Sequence, residues 1–203
     1  MSVLLAAASL SHAQAEESPS DSFAFIGGNL AYIQDENYRD KNHFGLGVDA
    51  LYLKKVWGGL SLGVNANATF GLASSKDLSE TFSGETFTGE RRETLSFYTV
   101  SLVVGGISEH DNGGRLAYFI GPMIGSRSGS YEVTWDQDTG AEGPVNYKTS
   151  DNETAFGLTA GAYYKFPGSG WTLGLNASGY FLSDEYSEVI FSNKVSLSAG
   201  YTF

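Results

Sequence analysis

The chain has 203 residues, a length that fits one domain or two, and no shift in composition marks a domain boundary. It contains no Cys, which excludes thiol catalysis, thiolate metal sites and disulfide bonds. Its formal net charge is −11 with only 12 Lys and Arg, which excludes nucleic acid as an expected partner, because a phosphate-binding surface needs clustered cations.

The N-terminus has the features of an export signal. Residues 3–8 are apolar, and Ala13-Gln14-Ala15 is a small-x-small cleavage site. The basic segment that normally precedes such a run is missing, which a start site upstream of Met1 would explain. We predict a signal peptide over residues 1–15, a periplasmic leader over 16–22 and one domain over 23–203. Elsewhere no apolar run reaches 18 residues, so we expect no membrane-spanning helix.

The domain is predicted to consist of long β-strands. In residues 60–72, for example, Leu62, Val64 and Ala66 alternate with Gly63 and Asn65, which places apolar and polar side chains on opposite faces of a strand. Thirteen residues tilted by about 40° rise roughly 33 Å, enough to cross the apolar band of about 25 Å that outer-membrane barrels present to lipid. The same pattern predicts eight strands, over residues 23–34, 43–53, 60–72, 94–105, 116–127, 154–165, 171–181 and 194–203.

The connections between these strands differ in kind. Those after residues 53, 105 and 165 are predicted to be turns, whereas the other four are predicted to be outer loops that carry most of the net negative charge. Residues 73–93 show no apolar period and are predicted to be a loop, while residues 131–135 and 145–147 predict that two strands continue as a hairpin beyond the membrane. Pro122 predicts a bulge or bend in its strand, because proline cannot donate a ladder hydrogen bond.

The polar face decides which side of the strands is outside. A soluble barrel that carries a ligand also alternates, with its apolar face inward, but its outer face would bear the Lys and Glu of ordinary surfaces. Here that face is mainly Gly, Ser, Thr and Asn, which fits a narrow interior. We therefore predict an all-β fold, an eight-stranded antiparallel up-and-down transmembrane β-barrel. The polar residues predicted to face the interior are Asp49, Asn65, Asn67, Arg127, Asn176 and Lys194.

The end of the chain, Val195-x-Leu197-x-Ala199-x-Tyr201-Thr202-Phe203, and the repeated pattern resemble the small outer-membrane β-barrel families that include OmpX, the OmpA membrane domain and the opacity-type proteins. The resemblance implies a location in the outer membrane of a Gram-negative bacterium. It also implies that Tyr201 and Phe203 form the signal that the barrel-assembly machinery recognises. The expected partners are outer-membrane lipid and lipopolysaccharide, and the barrel is expected to be a monomer.

Three functions remain open from the sequence. The first is a structural or surface-interaction role, through envelope integrity or through contact of the acidic loops with ligands or lipopolysaccharide. The second is a narrow porin-like channel or hydrophobic-solute conduit. In that reading an ion pair of Asp49 with Arg127 or Lys194 would be a gate, whereas the first reading makes it a structural bridge. The third is a lipid A modifying enzyme, for which His43 would need a Ser and a carboxylate beside it. We favour the first and expect no catalytic, cofactor or metal site.

Overall fold

The computed structural model describes residues 21–35, 42–82, 84–136, 144–183 and 189–203. The predicted signal peptide (1–15), nearly all of the leader (16–22) and most of two acidic loops lie outside these ranges. Within them the chain forms nine strands: β1 (Ser22–Gln34), β2 (Asn42–Trp57), β3 (Leu60–Gly71), β4 (Ser74–Phe82), β5 (Glu85–Glu109), β6 (Arg115–Trp135), β7 (Tyr147–Lys165), β8 (Trp171–Ser183) and β9 (Val189–Thr202). Among the described residues no helix has the length and apolar character needed to span a membrane.

The strands form one closed antiparallel ring. Each strand pairs with the next one in sequence, except that β3 pairs with β5 instead of β4, and β1 closes the ring by pairing with β9. Both β3 and β4 pair with β5, one after the other along its length, so together they form a single barrel strand and its continuation. The ring therefore has eight barrel strands, and closure leaves no unpaired edge within it. This confirms the predicted fold class.

The apolar face of the barrel points outward. Val64 and Leu175 are 40% and 54% exposed, whereas the adjacent Asn65 and Asn176 are only 1% and 2% exposed. Large apolar side chains are likewise exposed on every barrel strand around the ring. A soluble carrier barrel would show the reverse order, so the predicted facing is confirmed.

The two ends of the barrel differ. At one end, here called the turn end, tight connections contain Gly58, Gly113 and Gly168 with positive φ angles of 55°, 81° and 65°. Such angles are in the left-handed region that glycine adopts without a steric penalty. The opposite end, here called the loop end, carries the longer connections. This is the asymmetry that the sequence predicts.

The prediction of a loop over residues 73–93 is wrong. The segment is a hairpin in which β4 pairs with the first part of β5, from Ser74 opposite Glu93 to Phe82 opposite Glu85, with Gly84 (φ 88°) at its turn. The inward face of this hairpin is buried at Phe87, Arg91 and Glu93, but two of these three residues are charged, so no apolar alternation marks the segment in the sequence. The other predicted hairpin is confirmed, because β6 continues to Trp135 and β7 begins at Tyr147.

The bulge predicted at Pro122 is also wrong. Ser101 pairs with Met123 and Val104 with Ile120, which is the same register on both sides of the proline. The ladder with β5 only omits the two pairs in between, and Pro122 remains paired with Leu158 of β7. One missing N–H is therefore accommodated without an extra residue. The register shift between β2 and β3 lies instead at the turn end, between Lys55 and Trp57.

Candidate functional site: the barrel interior and the outer extension

The interior begins at the turn end with an apolar layer. Its aromatic rings are in contact, with the Tyr163 centroid 4.8 Å from that of Phe25 and 5.9 Å from that of Phe119. Glycine makes room for these rings, because a Cβ on Gly174 would lie 2.3 Å from the Tyr163 ring. The layer consists of Phe23, Phe25, Leu51, Leu53, Val103, Ile107, Ala117, Phe119 and Tyr163.

A polar network centred on Asp49 lies above this layer. The Asp49 carboxylate accepts hydrogen bonds from Asn65 Nδ2 (3.0 Å), from Ser198 Oγ (2.8 Å) and from the Tyr163 hydroxyl. Asn176 Nδ2 donates in turn to Asn65 Oδ1 at 3.1 Å. These five residues come from five different strands, so the network ties the walls of the barrel together across its centre.

Lys194 is a second buried charge in the polar layer. Its ammonium group donates to Asn67 Oδ1 and lies 5.1 Å from the centroid of the Phe97 ring. Asn67 Oδ1 also accepts from Thr69 Oγ1 at 2.9 Å. An amide oxygen and an aromatic face therefore replace part of the hydration that the ammonium group has lost.

A second apolar layer closes the network on the loop side. Phe97 and Tyr180 stack at its centre, with ring centroids 4.4 Å apart. Ile33, Leu95, Phe97, Met123, Ala155, Tyr180 and Leu182 form this layer. A water path along the barrel would have to cross both apolar layers as well as the polar network between them.

The mouth of the barrel at the loop end is charged. Arg127, 1% exposed, lies 2.7 Å from a carboxylate oxygen of Asp35 at the end of β1 and 2.7 Å and 2.8 Å from those of Asp151 and Glu153 on β7. Arg91 and Glu93 form another buried pair at 3.0 Å. Carboxylates from opposite walls thus share the guanidinium group of Arg127.

The structure separates Asp49 from Arg127, one of its two predicted partners, and keeps the other, Lys194, in the same polar layer without a direct ion pair. Asp49 and Arg127 lie on opposite sides of the second apolar layer, so their predicted ion pair is wrong. Asp49 accepts from neutral donors instead and forms no ion pair among the described residues. All six predicted interior residues, Asp49, Asn65, Asn67, Arg127, Asn176 and Lys194, are buried.

The large apolar residues inside the barrel were missed in the sequence. Alternate residues of a strand share a face, so Phe23 and Phe25 lie on the same face as Gly27 and Asn29. By the same rule Leu51 lies on the same face as Asp49, which is the inner one. The glycines of that face predict a narrow polar interior and leave room for the lumen that the alternative channel requires. In the structure aromatic rings fill the space beside these glycines, as small and large residues alternate in a tapering interior.

His43 does not lie at the lipid surface. It is 2% exposed and faces the interior near the loop end, whereas a lipid substrate would approach from outside. Within the described ranges no group of three or more His, Cys, Asp or Glu is arranged to hold a metal ion.

A four-stranded sheet projects beyond the membrane at the loop end. This outer extension consists of β4, residues 85–93 of β5, residues 129–135 of β6 and residues 147–153 of β7, which continue past the ends of the other strands. On the face that continues the barrel interior, a cavity of about 210 Å³ is lined by Leu78, Tyr131, Trp135 and Tyr147, among others. Tyr131 and Tyr147 stack there with centroids 5.5 Å apart.

The last strand ends at the turn end with two exposed rings. Tyr201 and Phe203 are 48% and 70% exposed, and their centroids are 5.4 Å apart. Tyr201 pairs with Ile26 of β1 on one side and Trp171 of β8 on the other. Exposed aromatic rings at the end of a barrel strand are typical of the girdle that outer-membrane barrels present to the bilayer interface.

No protein-family model and no curated protein sequence matches this chain. Solved structures of outer-membrane proteins are similar to it, and three of them illustrate the likeness. The attachment invasion locus protein Ail of Yersinia pestis shows 15% identity and a TM-score of 0.44 over 92% of this chain and 100% of its own. Neisserial surface protein A shows 11% identity and a TM-score of 0.44 over 92% and 100%. A major outer membrane protein of Thermus thermophilus shows 15% identity and a TM-score of 0.48 over 91% and 100%.

The closed ring pairs the backbone N–H and C=O groups of its strands with one another, as a membrane-spanning structure must. Its outer surface carries large apolar side chains on every barrel strand, which suits contact with lipid acyl chains. The chain is an eight-stranded transmembrane β-barrel of the outer-membrane type.

Proposed function

We propose that this protein acts through its surface, as a structural barrel that holds the outer extension above the membrane, and that it is neither a channel nor an enzyme. The observation that carries the proposal is the filled interior, in which two apolar layers enclose the polar network around Asp49. A wide hydrated path is what a channel requires, and the stacked Phe97 and Tyr180 rings occupy that position.

The outer surface supports contact with lipid and lipopolysaccharide as partners. Its apolar side chains match acyl chains, and its exposed acidic residues can reach anionic head groups through divalent cations. In the closed ring every barrel strand is hydrogen-bonded on both sides, so no strand edge is left for a second copy to pair with, which favours a monomer. We further propose that Tyr201 and Phe203 are recognised by the barrel-assembly machinery, for which their exposure at the turn end leaves access.

Conductance in planar bilayers tests the proposal. We expect the refolded protein to produce no conductance steps of uniform size, because water meets an apolar layer from either side. An open porin inserted under the same conditions is the positive control. Steps of reproducible size from this protein would contradict the proposal and favour a channel.

The Asp49→Asn variant separates a sealed interior from a gated one. The exchange removes the central charge but leaves both apolar layers in place, so we expect the variant to remain silent as well. If Asp49→Asn conducts where the unmodified protein does not, the carboxylate is part of a gate and the sealed interior is disproved.

A further inference from the structure

We infer that the cavity on the outer extension is a binding site for an organic cation, meaning a quaternary or protonated amine with an apolar body. The inference deepens the proposed surface role and rests on it. It names the chemical class of ligand for which the outer extension is built.

The aromatic lining is the first observation. Tyr131, Trp135 and Tyr147 contribute rings to a single cavity of about 210 Å³, whose floor is the buried Val133. The face of an aromatic ring carries negative electrostatic potential and attracts cations, and several rings around one cavity are the arrangement that recognises quaternary ammonium groups. The Tyr131 ring already lies 6.0 Å from the guanidinium carbon of Arg91, so a cation contact occurs within this cluster.

Charge is the second observation. Glu80 lines the same cavity, is exposed, and forms no ion pair with any residue of the described ranges. The charge of Arg91 is offset by Glu93, 3.0 Å away and equally buried. With a net charge of −11 on the whole chain, the surrounding potential attracts cations and repels phosphates, sulfates and other anions.

The orientation of the cavity is the third observation. It lies on the face of the outer extension that continues the barrel interior, whereas the exposed Lys148–Glu132 pair belongs to the other face. Val145 and Tyr147 at its edge are 69% and 48% exposed, so this edge of the cavity meets solvent outside the membrane. The cavity is therefore accessible without passage through the barrel.

Binding of choline, measured by saturation-transfer NMR of its N-methyl protons, tests the inference. The protein is refolded into phosphatidylglycerol discs, because phosphatidylcholine and zwitterionic detergents would themselves compete. The neutral alcohol 3,3-dimethylbutan-1-ol has the same shape without the charge. We expect saturable choline binding that is about threefold to tenfold tighter than binding of the neutral alcohol.

Variants then assign the binding to the cavity. Trp135→Leu, Tyr147→Leu and Glu80→Gln should each weaken choline binding by about threefold to tenfold. Asp77→Asn is the matched control, since Asp77 is also an exposed acidic residue of β4 but lies on the opposite face. It should leave the affinity unchanged. Heat-modifiable migration on a gel verifies that each variant is folded.

The inference is overturned if choline shows no saturable binding, if the neutral alcohol binds equally well, or if methyl glucoside binds more tightly than choline. An equal loss in Asp77→Asn and Glu80→Gln would also overturn it, since bulk charge would then explain the effect. A protein that fails these tests yet stays silent in planar bilayers leaves the proposed surface role standing.

Discussion

Arg127 shows how a single residue organises the mouth of the barrel. Its guanidinium group contacts Asp35 from β1 and Asp151 and Glu153 from β7, and Asp35 itself is fully buried. A buried charge is costly unless it is paired, so each of these groups depends on the others. The cluster also lies directly above the second apolar layer, where it holds the loop end of the barrel together.

Replacing Arg127 by Met should lower the free energy of unfolding by about 3–5 kcal/mol, because the change leaves several carboxylates without their shared cation. Urea titration of the barrel in lipid vesicles, followed by fluorescence, measures the loss. Arg92→Met is the matched control, since Arg92 is exposed on the outer extension, and its effect should stay within about 0.5 kcal/mol. Equal losses in the two variants would contradict the role assigned to the cluster.

Each barrel strand has a lipid-facing side and an interior side. On the lipid-facing side, the cost of a substitution also depends on how deep the residue lies in the bilayer. Leu175 lies in the middle of β8, whereas Leu72 follows the end of β3 near the outer interface. Their exposures are nearly the same, 54% and 51%, so burial within the protein does not distinguish them. Only the surrounding medium does.

Leu175→Lys should therefore cost about 2–4 kcal/mol of unfolding free energy, and Leu72→Lys only about 0–1 kcal/mol. The reason is that an ammonium group at the bilayer midplane loses its hydration, while one near the interface keeps it. Urea unfolding in vesicles of fixed lipid composition compares the two. A similar cost at both positions would mean that the depth assigned to these strands is incorrect.

At the scale of the whole molecule, the ring closes between β1 and β9, so the barrel is complete only when the last of its strands has paired with the first. Tyr201 and Phe203 at its end are exposed and contact each other, rather than packing into the interior. They contribute little to the folded core, so replacing them can disturb assembly in the cell without a large loss of stability.

Phe203→Ala should reduce the amount of folded protein in the outer membrane of cells severalfold, while its refolding yield into vesicles of pure lipid stays the same. Folded protein is quantified in both settings by heat-modifiable migration on a gel. Leu197→Ala, a change at another exposed, lipid-facing residue of β9, is the control and should leave the cellular level nearly unaltered. A parallel fall of yield in pure lipid would indicate an ordinary loss of stability and contradict the assembly role.

Much of the architecture follows from the sequence alone. Strand alternation has a strict period of two, so an order such as Leu62, Gly63, Val64 and Asn65 assigns strands and their two faces. The Gly, Ser, Thr and Asn of the polar face then assign the apolar face to the outside. The same period fails for the hairpin of β4 and β5, because its buried face carries the paired charges of Arg91 and Glu93 rather than an apolar stripe. The alternation of apolar and polar residues therefore ends where the strands leave the membrane.

Tertiary structure alone decides which interior residues meet. Asp49 bonds to Tyr163 across 114 positions of sequence, and Arg127 to Asp35 across 92. Barrel strands are tilted and staggered, so the height of a side chain along the axis depends on the register of every intervening pair. Periodicity assigns a residue to the inside but carries no information on height. For this reason the sequence predicts a polar interior with a possible gate, and the structure has two apolar layers with Asp49 and Arg127 on opposite sides of one of them.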